Sequence, residues 1–214
     1  MVANQRLVAP DGYEVALFPL EYLNMSQDEG ADYSHQGTYN IDFLGWGSNG
    51  RVYNCPIYAP CTMKVVNTWL NYAGGNTVTF ESVNKVHLPN GQLDYLTISF
   101  SHDNNPPYTT LGAIVNQGDL CYHTGTYGNV TGDHVHTCVG QGQYQGYTTR
   151  PSGHMDLTNR IHYWEGVYVN NTTIINGYNH NWLTWTIPPT PTITRKHHFK
   201  WVLYSKKLRI KAQK

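Results

Sequence analysis

Charge is scarce in this chain. Lys plus Arg number 14, Asp plus Glu number 14, and together they make up 13% of 214 residues at zero formal net charge. That balance is unevenly distributed along the chain, with basic residues gathered toward its C-terminal end. No stretch reaches the roughly 20 apolar residues of a membrane span. The start, Met1 to Arg6, lacks the basic end and apolar core of a secretory leader, so none is expected. The four cysteines, Cys55, Cys61, Cys121 and Cys138, form no CxxC pair, which argues against a thiolate zinc site. They read either as two disulfides or as buried free thiols, the latter preferred for a protein made in a cytosol. Disorder is excluded by what is plentiful: 40% hydrophobic residues, six Trp and 17 Tyr.

What remains is an all-β texture. Gly, Asn and Thr are abundant, and no helix-length amphipathic run appears over residues 50–140, nor any internal repeat. Strands are predicted at Met63–Trp69, Thr77–Glu81, Leu93–Phe100, Ala113–Val115, Leu120–Tyr122 and His134–Val139. They are separated by turns such as Asn71 to Asn76 and Pro89-Asn90-Gly91-Gln92. Tyr163–Val169 and Thr172–Ile175 are expected to form a further hairpin. The domain reading is a single domain over residues 1–186 with its core at about 15–140, then a Pro/Thr linker at 187–194. A basic tail at 195–214 holds eight Lys or Arg and no acid. The tail fits either attraction to a polyanion or a solvated end.

Histidines carry the candidate chemistry. His134 and His136 stand at i and i+2 of a strand, so their rings emerge on one face. An HxH pair alone is weak evidence among 11 histidines. A catalytic metal site needs three His, Asp or Glu ligands with one position open. His35 and Asp42, separated by a Gly-containing segment, supply two such side chains. Asp42 heads the apolar run Phe43-Leu44, which draws its carboxylate inward, where it needs a partner. His102 follows the strand Thr97–Ser101 and precedes a polar loop, a place from which a neutral imidazole can exchange protons.

Taken in order, these parts resemble the lysostaphin-type, or M23, zinc endopeptidases of peptidoglycan. The resemblance lies in His35…Asp42, Ser101-His102, Gln117-Gly118-Asp119, the loop Thr124–Gly132 and the closing Asp133-His134-Val135-His136. The Ala59-Pro60 strand start adds to it. It spans roughly residues 15–140. Two departures stand out. Six residues separate His35 from Asp42 where the family commonly has three, and Thr137-Cys138 replace the aromatic and acidic residues that often follow the last His.

The resemblance implies an antiparallel β-sheet or sandwich of the duplicated-hybrid-motif kind with a short C-terminal extension. It implies one zinc ion on His35, Asp42 and His136, and proton transfer by His102 and His134. The implied reaction is hydrolysis of a peptide bond in the stem or cross-bridge of peptidoglycan, leading to wall lysis. Tyr127 and Asn129 are candidates to line the substrate groove. His87, His123, His154, His162, His180, His197 and His198 have no role in the pattern. The expected setting is a phage or prophage lysin, held in the host cytoplasm before release or carried on a virion, acting at the wall without nucleic acid or a membrane span. The alternatives are a catalytically inactive wall-binding or phage-tail structural protein with the same fold, and a carbohydrate-binding β-sandwich.

Overall fold

A computed structural model describes residues 1–31 and 33–187. The expected basic tail, and all of the expected linker but Ile187, lie outside the described residues. Among the latter, the main feature is one nine-stranded sheet. Its strands in chain order are β1 (Tyr22–Gln27), β2 (Ile41–Phe43), β3 (Met63–Trp69), β4 (Thr77–Ser82), β5 (Leu96–Ser101), β6 (Ile114–Val115), β7 (Val135–Gln141), β8 (Arg160–Ile161) and β9 (Thr173–Asn176). Across the sheet they run β6-β3-β4-β5-β7-β2-β1-β9, with β8 also paired to β7. All pairings are antiparallel except β9 on β1. The all-β reading holds, with a single helical turn, α1 (Tyr163–Gly166), and no described helix is long and apolar enough to cross a membrane.

Alternation along the central strands gives the sheet two unlike faces. Ile41 and Phe43, Val78 and Phe80, Ile98 and Phe100, and Val135 and Val139 are all buried in one apolar core. Burial of each such side chain stabilises the fold by about 1.5–3 kcal/mol. The intervening residues Asp42, Thr77, Thr79, Ser99, Ser101, His136 and Cys138 face the other way. That second face is polar and becomes the floor of a cleft.

Register is what brings the chemistry together. Antiparallel β5 and β7 place Ser101 opposite His136, and β7 with β2 places His136 opposite Asp42. A slip of one residue would turn every one of these side chains to the other face. Phe43, Ile41 and Val135 in the core therefore fix Asp42 and His136 in the cleft.

The expected hairpin at residues 163–175 does not form. Tyr163–Gly166 is a helical turn, and Thr173–Asn176 pairs in parallel with β1 instead. Glu165 accepts the His162 backbone N–H at 3.4 Å, stabilising the turn. The turn buries Tyr163 against Phe18 and Phe43, with ring centroids 6.2 and 5.2 Å away. Trp182 closes on the same aromatic cluster, 5.8 Å from Phe18. The long strand expected at Leu93–Phe100 is divided, Leu93–Asp94 pairing elsewhere with Val86–His87. All four cysteines are free and buried, as expected of reduced interior thiols.

Candidate metal centre and catalytic cleft

Three ligand-type atoms converge at the head of the cleft. His35 Nε2 lies 3.1 Å from His136 Nδ1 and 3.2 Å from Asp42 Oδ1, and His136 Nδ1 lies 2.9 Å from the same carboxylate oxygen. Among the described residues these three form the group able to hold a metal ion. Asp42 and His136 are placed by the sheet register; His35 comes from the loop between β1 and β2, on which it is fully buried.

The proton inventory at His35 is informative. Its Nδ1 sits 2.9 Å from the Asp28 carbonyl oxygen. A carbonyl only accepts, so Nδ1 carries a proton, which leaves Nε2 as the ring atom that can serve as a ligand. Burial raises the Asp42 carboxyl, but the imidazoles of His136 and His35 outweigh this and hold it below the usual carboxylate range. Burial in turn holds His136 below the ordinary imidazole value. Both directions favour the forms that a divalent cation requires of its ligands, an ionised carboxylate and, at His136, a neutral imidazole.

Two further imidazoles flank this group. The ring of His102 lies 4.7 Å from that of His134 and 5.9 Å from that of His136. His134 Nε2 stands 3.7 Å from Asp42 Oδ2. Each has its Nδ1 on a backbone carbonyl: His102 on Tyr127 at 3.0 Å, His134 on Gly132 at 2.8 Å. In the neutral ring both therefore keep Nε2 free to accept a proton. Burial, and then the neighbouring His136 and His134, hold the His102 imidazole down at about 3.

His102 is held by the backbone around it. Its φ is +88°, a left-handed conformation that costs a residue with a side chain about 1–3 kcal/mol. The next residue, buried Asp103, is fixed by four donors: the N–H groups of Asn105 (2.7 Å) and His123 (2.8 Å), the His123 ring (3.0 Å) and, on its own carbonyl, Asn76 (3.0 Å). Glycines make room for the turn. A Cβ at Gly75, itself at φ +115°, would lie 2.6 Å from His102 Nδ1, and one at Gly125 would lie 2.1 Å from the His102 carbonyl oxygen.

The cleft of about 410 Å³ runs from these imidazoles over the polar floor of Thr77, Ser99 and Ser101 to Trp69, Tyr72 and Met155. Asn129 lines it; Tyr127 is not among the lining residues and instead holds His102 through its carbonyl. Asp133, adjacent to His134, points away: it accepts from Thr124 Oγ1 at 2.7 Å and the Asn54 N–H at 3.0 Å, pinning the glycine-rich loop. His154, given no role by the sequence pattern, also lines the cleft. His123, His162, His180 and His87 are each paired with a carboxylate elsewhere, while His197 and His198 lie outside the described residues.

No protein-family model matches the chain. The chain is 33% identical over 174 residues to Morphogenesis protein 1 of Bacillus phage B103, an alignment covering 81% of this chain and 45% of that protein. It thus spans less than half the length of that relative. Among solved structures it is similar to the lysostaphin catalytic domain of Staphylococcus simulans, with 20% identity, a TM-score of 0.42, and 57% and 84% of the two chains covered. It is also similar to the catalytic domain of the prophage-encoded M23 protein EnpA of Enterococcus faecalis, with 18% identity, a TM-score of 0.41, and 63% and 87% covered. A zinc-containing peptidase of Vibrio cholerae matches at 17% identity and a TM-score of 0.40, with 63% and 42% covered.

Proposed function

We propose that this chain is the catalytic domain of a lysostaphin-type zinc endopeptidase that hydrolyses a peptide bond in bacterial peptidoglycan. One observation carries the reading: His35 Nε2, Asp42 Oδ1 and His136 Nδ1 meet within 2.9–3.2 Å at the head of an open cleft. Zinc bonds of about 2.0–2.2 Å at tetrahedral angles set ligand atoms about 3.3–3.6 Å apart, so a few tenths of an ångström of opening accommodates the ion. Two His and one Asp leave a fourth position for water, the pattern of a catalytic rather than a structural site. Zinc, when bound, supplies a Lewis acid that acidifies water and polarises a scissile carbonyl.

The chain's own residues supply the rest. The Tyr127 and Gly132 carbonyls hold Nδ1 of His102 and His134, so that Nε2 is the acceptor atom in the neutral tautomer of each. One of them takes the proton of the attacking water at Nε2 and, as the imidazolium so formed, returns that proton to the departing amine. The polar floor of Ser99, Ser101 and Thr77 offers hydroxyls to an extended peptide. Trp69 and Tyr72 offer flat apolar surface at the rim.

The name of the phage relative supports a virion setting, in which this domain opens the wall as one part of a longer morphogenesis protein. The same name fits a particle component that keeps the fold without turnover. The complete set of five side chains favours the enzyme. His136→Ala is expected to lose zinc, and His134→Ala to keep zinc while losing turnover by about 10²–10⁴-fold. Zinc content by atomic emission, beside release of soluble wall fragments, reads both. Equal zinc retention by the two variants would overturn the ligand assignment.

A further inference from the structure

The ligand loop between β1 and β2 carries His35 but has little of its own to hold it. Its internal bonds, such as Thr38 N–H to the His35 carbonyl at 3.0 Å, close turns without tying the loop to the sheet. Ser152, Asp156 and Arg160 bond the Gln36, Tyr39 and Gly37 backbone of the loop, and the stretch that leads into His35 is gripped by residues nearer the far end of the described chain, beyond the part that resembles the peptidase family. His180 Nε2 donates to both carboxylate oxygens of Asp28, at 2.9 and 3.0 Å. The carbonyl of that same Asp28 holds His35 Nδ1. The His180 ring lies flat on Trp164, centroids 3.6 Å apart and planes 12° from parallel. Trp164 stacks in turn on His162 at 4.7 Å, and His162 on Tyr39 of the ligand loop at 4.4 Å. The next acid, Glu29, receives His162 Nδ1 at 2.5 Å and the Tyr163 N–H at 3.2 Å.

Resting on the zinc-peptidase reading above, we infer that His180, stacked on Trp164, is a positioning residue for the metal: it fixes Asp28, whose carbonyl fixes the tautomer and aim of His35. The device answers the long spacing between His35 and Asp42, since six intervening residues leave the first ligand on a freer loop than three would. A metal-ligating imidazole whose second nitrogen is held by a carbonyl is a more basic and better-aimed ligand. Loss of such outer support typically costs about 10–100-fold in metal affinity.

The test is zinc affinity by chelator competition, with thermal unfolding of the metal-free protein and the visible spectrum of the cobalt-loaded protein beside it. A matched control exists in His87, which pairs with Asp11 at 2.9 Å and lies against Trp185 at 4.8 Å, far from the ligand loop. His180→Ala is expected to weaken zinc binding by about 10–100-fold and to alter the cobalt spectrum. His180→Gln, which keeps a donor at the same reach, restores most of the affinity, and His87→Ala leaves it unchanged. An affinity in His180→Ala equal to the parent's overturns the inference and leaves the zinc site standing. Equal loss in His87→Ala also overturns it, since the effect would then be general destabilisation. A parent that binds no zinc overturns both readings. Should His180→Ala not fold, Asp28→Asn keeps the carbonyl while weakening the His180 bond. Reduced zinc affinity there supports the inference, and unchanged affinity overturns it.

Discussion

Asp156 has no exposed surface, and it joins two parts of the chain that meet at the ligand loop. Its carboxylate accepts from Arg150 Nε at 2.6 Å, from an Arg160 terminal nitrogen at 2.6 Å and from the Tyr39 backbone N–H at 2.9 Å. Asp156→Ala would leave two guanidinium groups without their counter-ion and one N–H without its acceptor. Breaking a buried pair costs about 3–5 kcal/mol. Both arginine side chains keep about a fifth of their surface in water (19% and 23%), which puts the ionic part near the lower end of that range, about 3 kcal/mol. The lost backbone bond adds about 1 kcal/mol. Each kcal/mol moves the melting midpoint of a domain this size by about 2–4 °C, so the total is a fall of about 8–16 °C. Urea unfolding followed by tryptophan fluorescence checks the free energy directly, with the slope on denaturant unchanged. Asp156→Asn, which keeps the shape and part of the acceptor capacity, is expected to cost about half as much. A loss below about 1 kcal/mol in Asp156→Ala would refute the reasoning, since it would mean that this buried ion pair and its backbone bond contribute little to the fold.

Gly75→Ala places a methyl group 2.6 Å from His102 Nδ1. The ring must leave the Tyr127 carbonyl, so turnover is expected to fall by about 10²–10⁴-fold with zinc content unchanged; retained turnover would show that the aim of His102 is unimportant. The interior thiols give a pH prediction. Burial pushes the Cys55 thiol up to about 11 and those of Cys61 and Cys121 well above their ordinary value. Above an ordinary thiol pKa of about 8.5 the unfolded chain loses thiol protons that the folded chain keeps, so stability falls as pH rises from there through about 11. Urea midpoints at a series of pH values between 8 and 10.5 check the direction, and a Cys55→Ser, Cys61→Ala, Cys121→Ala variant should show a shallower decline.

How the site could be read from sequence differs residue by residue. His134 and His136 were legible because a period of two puts them on one face whatever the strand pairs with. Asp42 was legible as a carboxylate at the head of the apolar run Phe43-Leu44, and in the structure it is the burial of Ile41 and Phe43 on either side that decides which way it points. That it lies directly opposite His136 is a matter of register between strands 94 residues apart, which no local pattern encodes. The expected hairpin at 163–175 failed for a related reason. Its β-rich composition was real, but Tyr163 reaches the core from a helical turn, and Thr173–Asn176 finds its partner in β1, far back in the chain. Asp103, Gly75 and Gly125 had no motif to mark them, because their role is to shape the backbone around His102. The histidines set aside as structural include His180 and His162, whose partners Asp28 and Glu29 lie in the loop that carries His35.

The central claim is tested most directly by incubating purified walls with the protein, with and without a zinc chelator, and identifying new amine termini by mass spectrometry. New termini at one defined peptide linkage, abolished by the chelator and restored by added zinc, are the predicted result. No new termini, or termini that persist with the metal removed, would contradict the account.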